Sequence, residues 1–352
     1  MGTGGSIDKN PEKIAGSISY ATTAVEKATA DAAFTNALTK TGDGTVTYTS
    51  SDTAVAEVAE KTGEVTIVGA GTATITATVT DSDTYTYAVK TATYTITVTQ
   101  ATPSYIGSKA PSEAKAVGDI VFNDGSATPY SADLTLTDAQ KAAAISVIFY
   151  AGTGLNSGDD TTTSRTLGVG LDNTGLLEWC TSSANADSIS ITTILCHSNT
   201  SANIVNSNMT FTGDRNGSDN LKQISDFLKA NSLTDDTETE AKYPAFYFAK
   251  NYKEKKIGSE TASRIPAGSE YESGWYMPSL AEIRQIWESK DTVDAAIALC
   301  GASPFGDKWC WTSSQHPTVA NKACTFCFQT GQWGEPPKSG HTDSVCVVRA
   351  FN

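Results

Sequence analysis

The sequence predicts an all-β sandwich followed by an α+β domain, and three observations predict it. Residues 15–100 consist of short segments in which β-branched and polar residues alternate with period two. Gly, Ser and Asp turns separate them, roughly eight to twelve residues apart, the spacing of a sandwich. Beyond residue 118 that rhythm gives way to apolar residues at helical spacing, interleaved with short apolar runs. The seven cysteines also all fall after residue 179, so the two parts differ in composition as well as in period.

In the first part Thr45 to Tyr48 alternates and Ser50-Ser51-Asp52 turns. Val55 to Val58 resumes, and Lys61-Thr62-Gly63 turns again before Glu64 to Val68. Gly69-Ala70-Gly71 breaks that strand, Thr72 to Val79 alternates β-branched residues, and Ala92 to Val98 closes the set. Residues 1–14 read as a flexible tail, because Met1 leads straight into Gly2-Thr3-Gly4-Gly5-Ser6 with no signal-peptide pattern, as in a trimmed mature form. Pro103, Gly107, Pro111 and Gly118 mark 101–118 as a linker.

From residue 119 the elements are mixed. Gly118 to Phe122 is a short strand, Thr137 opens a short helix through Ala144, and Val147 to Tyr150 and Leu167 to Leu171 are buried strands. Asp219–Ala230 places Leu221, Ile224, Phe227 and Leu228 on one helical face, and a helix over Tyr243–Tyr252 starts with Pro244 at an early position. The sharpest helix start is Ser279 to Glu282. There the Ser279 hydroxyl can cap the Glu282 amide while the Glu282 carboxylate returns to the Ser279 amide. A further helix is capped by Asp291 and stopped by Gly301; Trp309–Ser313, Ala323–Phe328 and Ser344–Val348 are then strands around a long Gly/Pro-rich excursion.

Composition excludes several functions. Only 18% of residues are charged, so much of the surface is uncharged Thr, Ser, Asn and Gly, which suits extracellular β-structure. Acidic residues outnumber basic ones 39 to 25, and a net charge of -14 repels phosphate backbones, so nucleic acid is not expected as a partner. The longest apolar run, near Ile145–Tyr150, is too short to cross a bilayer. Seven cysteines cannot all pair within one chain, so no disulfide framework is expected and at least one thiol is free or paired between molecules.

The segments Tyr48 to Asp52, Thr62 to Val65 and Gly69 to Ala77 closely resemble the bacterial Ig-like domain of the second group, found in intimin-type and other surface proteins. The resemblance covers 15–100 and implies a stalk or spacer. Gly274 to Ile283 (Gly-Trp-Tyr-Met-Pro-Ser-Leu-Ala-Glu-Ile), Cys310 to Gln315 and Val345 to Phe351, with Gly118 to Phe122 and Tyr243 to Ala245, resemble the C-type-lectin-like domain of variable proteins made by diversity-generating retroelements, the treponemal variable protein among them. The implied architecture is an Ig-like sandwich followed by an α+β C-type-lectin-like variable receptor domain over 119–352. In such proteins, error-prone copying of template adenines diversifies codons on the ligand face of an invariant scaffold. Carried over here, the resemblance and the patternless loops make Cys310, Gln315, His316, Pro317, Thr318, Ala320, Asn321, Cys327, Thr330, Gln332, Trp333, Gly334, Glu335, Pro336, Ser339, Gly340, His341 and Thr342 the candidate ligand-binding positions. Strand parity puts Cys324, Phe326 and Phe328 on the core face and turns Cys327 outward. Trp311 is expected in the core and Trp333 exposed, as a binding anchor.

Catalytic and metal chemistry has little material. A zinc set of Cys324, Cys327, His341 and Cys346 fails on parity, since residues three apart on a strand face opposite sides. Among the three histidines there is no His-Glu-x-x-His, and neither Gly-x-Ser-x-Gly nor a phosphate loop is present. The formylglycine-generating enzyme of the same superfamily uses a cysteine pair, for which Cys324 and Cys346 would be the candidates. Glu335-Pro336-Pro337 comes close to a calcium-lectin motif, but Pro337 offers no side-chain oxygen. The expectation is a monomeric, non-enzymatic surface protein without cofactor, bound to an unknown protein or host-surface ligand, and held on the bacterial surface or secreted. Its membrane contact would be only through an N-terminal lipid anchor that this sequence does not contain. The rival expectation is an invariant adhesin or structural surface protein of the same fold.

Overall fold

The computed structural model describes residues 12–101, 104–156, 160–172, 175–252 and 263–351. The chain divides into two units between Ser104 and Tyr105. Residues 1–11 of the expected tail, and Thr102 and Pro103 of the expected linker, lie outside the described residues. The first strand opens at Ile14, inside the stretch read as tail. From Tyr105 onward the stretch read as linker belongs to the second unit. Lys109 and Ala127 exchange backbone hydrogen bonds of 2.8 and 3.1 Å, and Lys109 Nζ meets Asp119 at 2.6 Å. Gly107, Pro111 and Gly118 therefore belong to a packed entry segment rather than a tether.

The described part of the first unit is all β. Its strands are β1 (Ile14–Tyr20), β2 (Ala24–Ala28), β3 (Phe34–Thr35), β4 (Leu38–Thr41), β5 (Val46–Ser50), β6 (Ala56–Val58), β7 (Glu64–Ile67), β8 (Gly71–Val79), β9 (Tyr85–Tyr87) and β10 (Thr91–Thr99). They form sheets of order β4-β1-β9, β2-β10-β8-β5 and β3-β7-β6. Period-two alternation decides the faces. Ala73, Ile75, Ala77 and Val79 of β8 are buried with Tyr94, Ile96 and Val98 of β10. The opposite face carries threonines in register, Thr72, Thr74, Thr76 and Thr78 against Thr97, Thr95, Thr93 and Thr91. This uncharged, β-branched face accounts for part of the low charge density of the sequence.

In the second unit β11 (Asp119–Phe122), β12 (Ala127–Pro129), α1 (Asp138–Ala143), β13 (Ala144–Gly152) and β14 (Arg165–Gly170) come first. The hairpin β15 (Cys196–Ser198) and β16 (Phe211–Gly213) and the helices α2 (Asn220–Ala230), α3 (Pro244–Lys250), α4 (Leu280–Glu288) and α5 (Lys290–Leu299) follow. The chain then closes with β17 (Trp309–Gln315), β18 (Ala323–Cys327), β19 (Trp333–Gly334) and β20 (Val348–Ala350). The central sheet has order β12-β11-β13-β14-β20, so the first and last strands of the unit share one sheet, and β17-β18-β19 form a smaller one. Both faces of the central sheet are covered. Ile120, Phe122, Val147 and Val169 pack with α4 and α5, while Val121, Ile148 and Val347 pack with α2 and α3. Continuous burial of both faces explains why these strands are apolar runs without alternation. Helix α5 starts at Lys290, with Ser289 rather than Asp291 at its N-cap position, because α4 ends on that same serine; Asp291 sits in the first turn.

One buried carboxylate joins these pieces. Ser279 and Glu282 form the reciprocal capping box at the start of α4, with Glu282 Oε2 accepting the Ser279 amide at 2.8 Å. The same oxygen accepts the Gly217 amide at 3.0 Å. Oε1 accepts Arg165 Nη1 of β14 and the Tyr276 hydroxyl, each at 2.9 Å. Tyr276 in turn exchanges backbone hydrogen bonds with Val348 of β20. Burial pushes the Glu282 carboxyl above its ordinary value, and Arg165 opposes that rise. Replacing Glu282 by Gln preserves shape but leaves the Arg165 charge buried without a counter-charge. The expected loss is about 3–5 kcal/mol in urea unfolding, the usual cost of breaking a buried ion pair. An Arg165→Met, Glu282→Leu double variant should recover part of it.

Candidate functional site

Strand β17 is the hinge between scaffold and surface. Trp311 is fully buried, and its indole Nε1 donates to the Leu177 carbonyl at 2.7 Å. The following residues are buried too. Ser313 N donates to Pro278 O at 2.7 Å, and Ser314 Oγ accepts the Leu280 amide at 2.9 Å, so this strand positions the start of α4. Trp309, two residues earlier on the same face, lies beyond that cover and is 38% exposed.

The exposed indole stands over a cleft of about 300 Å³. Thr325, Gly334, Glu335, Pro336, His341 and Asp343 line it together with Trp309. Gly334 is required here: a Cβ on it would lie 2.8 Å from Thr325 Oγ1 and 2.9 Å from Trp309 Cζ3. Any side chain at 334 would push the indole off its seat. His341 Nε2 lies 3.0 Å from Asp343 Oδ2, and the His341 ring meets Trp311 edge-on at 5.7 Å. Burial raises the Asp343 carboxyl, with His341 opposing. His316 Nε2 lies 3.2 Å from Glu335 Oε1.

Of the eighteen sequence-derived positions, Gly334, Glu335, Pro336 and His341 line this cleft. Five others are scaffold rather than surface. Cys310 is wholly buried beside Phe326, on the core face of β17. Gln315 is wholly buried, accepting from Ile191 N at 2.8 Å and donating to Ile189 O and Ala320 O at 2.8 and 3.0 Å. His316 is buried, its Nδ1 accepting the Thr318 and Val319 amides at 3.0 and 2.9 Å. Cys327, expected to face outward, is 3% exposed, because the turn to β19 folds back over it with Gly331 N on its carbonyl at 2.8 Å. Trp333, expected as the exposed anchor, is 4% exposed: it forms β19 opposite Phe326 and enters the main core. Thr318, Asn321, Thr330, Gly340 and Thr342 are exposed, while Pro317, Ala320, Gln332 and Ser339 are half-buried. Thr330 and Gln332 sit at the opposite end of β18 from residues 317–321, so the positions do not form one patch.

The excursion between β19 and β20 is held by a residue that sequence reasoning missed. Lys338 is fully buried, with Nζ donating to Ala186 O at 2.8 Å and Ile189 O at 3.0 Å, 5.0 Å from the Trp179 ring centroid. Burial lowers its ammonium to about 8. Trp309 was also missed, although its place at the polar entry Asp307-Lys308 was a usable signal. Asp343 carried none. The seven cysteines are free and buried, and Cys310, not Cys324, is the hydrogen-bonding neighbour of Cys346.

Residues 35–81 match the family model described as the intimin immunoglobulin-like domain. No curated protein matches the chain. Among solved structures, a fimbrial protein from Bacteroides ovatus ATCC 8483 is similar, with 10% sequence identity and a TM-score of 0.42 over 95% of this chain and 70% of that one. The protein thus carries an Ig-like domain at its N-terminal side and a mixed α/β region after it, and an intimin-type domain fits a bacterial surface protein. Among the described residues, no helix is long and apolar enough to cross a membrane.

Two outcomes are expected. His316→Ala strands two backbone amides and should cost about 1–3 kcal/mol in chemical denaturation, whereas Asn321→Ala and Thr342→Ala should stay within about 0.5 kcal/mol. The second concerns alkaline pH. Burial lifts the thiols of Cys180, Cys196 and Cys300 to about 12, and raises Cys310 and Cys324 as well. Above about pH 8.5 the unfolded chain releases thiol protons that the folded chain retains, so stability falls with rising pH. Lys338 acts in the opposite sense, since its folded form gives up a proton near pH 8 that the unfolded form keeps. Under reducing conditions the urea midpoint should drop from pH 8 to 10, and more steeply in Lys338→Met.

Proposed function

We propose that this chain is a surface-displayed binding protein of the adhesin kind, in which the Ig-like unit is a stalk and the cleft over Trp309 takes the ligand. The observation that carries this reading is the 38%-exposed indole seated on Gly334, on a sheet whose neighbouring side chains are buried and hydrogen-bonded. A large aromatic held on a rigid, fully satisfied scaffold is the usual energetic anchor of a binding site. The ligand is a protein or host-surface molecule rather than nucleic acid, in keeping with a net charge of -14. The protein acts as a monomer and without catalysis or cofactor.

The finer reading, a C-type-lectin-like unit whose loops are diversified by a retroelement, draws support from two features. The strands β11 and β20 from the two ends of the unit share one sheet, and Thr318, Asn321 and Thr342 are surface positions where substitution costs the scaffold little. The buried Cys310, Gln315, His316, Cys327 and Trp333 argue for a smaller variable set. A reverse transcriptase gene beside an adenine-differing repeat of the 3′ end would establish it, and an invariant adhesin is the outcome otherwise.

The binding reading is tested by presenting the purified chain to arrays of glycans and host surface proteins. Binding should fall at least about tenfold in Trp309→Ala, a loss of roughly 1.4 kcal/mol or more, and persist in Thr342→Ala. Binding that survives Trp309→Ala, or no binding by the unaltered chain, counts against the cleft.

A further inference from the structure

Resting on that reading, we infer that the cleft is built for a basic side chain, Lys or Arg, projecting from a protein ligand. The lining of the cleft contains two carboxylates, Glu335 and Asp343, and neither lysine nor arginine. His316 is anchored through Nδ1, which accepts the Thr318 and Val319 amides, and its Nε2 faces Glu335 Oε1 at 3.2 Å, which holds that carboxylate in place. Asp343 is fixed by His341 and by backbone hydrogen bonds of 3.0 and 3.1 Å to Leu177.

The rest of the cleft suits the stem of such a side chain. Its volume of about 300 Å³ lies at the small end of ligand sites and matches one long side chain rather than a helix or an oligosaccharide. Trp309 and Pro336 offer apolar surface to the methylenes. The indole face adds cation–π attraction to the carboxylates, worth most where water is partly excluded.

The full chain, with 15N-labelled tryptophan, can be titrated with an acetylated and amidated Gly-Gly-Lys-Gly-Gly pentapeptide and its Arg and Gln counterparts. The Trp309 indole signal is assigned through Trp309→Phe. Saturable shifts with the Lys or Arg peptide at a Kd near about 1 mM, weakened by salt and absent with Gln, are expected. The Lys and Arg arms together decide which cation fits better. Glu335→Gln keeps an acceptor for His316, so its melting temperature should hold while binding weakens about tenfold; Asp343→Asn is the second variant. Equal binding of the Gln peptide, binding of methyl glycosides in place of the cationic peptides, or no effect of Glu335→Gln would overturn the inference. Macromolecular binding lost in Trp309→Ala without any response to cationic peptides would overturn this inference alone and leave the binding reading standing.

Discussion

The Glu282 carboxylate is the constraint on which the second unit depends. A charge with no exposed surface is tolerated only when its lone pairs are filled, and here four donors fill them. The donors come from β14, from the turn before α2, from the Trp275–Pro278 approach and from the cap of α4 itself. Satisfying one residue therefore fixes four chain segments, and through Tyr276 it also fixes the C-terminal strand β20. Burial raises the Glu282 carboxyl, and Arg165, 2.9 Å away, opposes that rise. Local capping and long-range assembly are thus the same interaction.

The face formed by β17, β18 and the loops around them inherits its rigidity from that frame. Ser313 and Ser314 dock β17 on the start of α4, Gln315 and His316 spend their side-chain hydrogen bonds inside the protein, and Lys338 clamps the following excursion onto the carbonyls of Ala186 and Ile189. Loops without periodicity are consequently not free loops. Their backbone is specified by a few buried polar side chains, and only the positions between those clamps face solvent. This bounds how much such a surface can vary: substitution at Thr342 alters exposed surface alone, whereas substitution at Gln315 removes a support.

Polarity is distributed differently in the two units. The Ig-like unit presents registered threonines on one sheet face, uncharged and stiff at χ1, over a core of alanines, β-branched residues and the tyrosines Tyr20, Tyr87 and Tyr94. The second unit buries thiols, a lysine and an ion pair in its interior. Nothing on a repetitive polar face needs individual placement, whereas the side chains of the second unit are placed one by one.

The sequence by itself determined the local terms. Period-two alternation marked β8 and β10 and their buried faces, Ser279 and Glu282 announced the cap of α4, and Trp311 was legible as core from its strand. These depend on residues close together in the chain, where propensity and periodicity act directly. Only the tertiary structure decided the burial of Cys327 and Trp333, the exposure of Trp309, and the duties of Gln315, His316 and Lys338. Parity assigns a side chain to a face of a strand, but whether that face meets water depends on which distant segment covers it. At Trp311 the cover is Leu177 and His341, and at Trp309 the cover stops. No pattern within a strand carries that information, because the covering residues lie far away in sequence and are brought there by the frame that Glu282 closes.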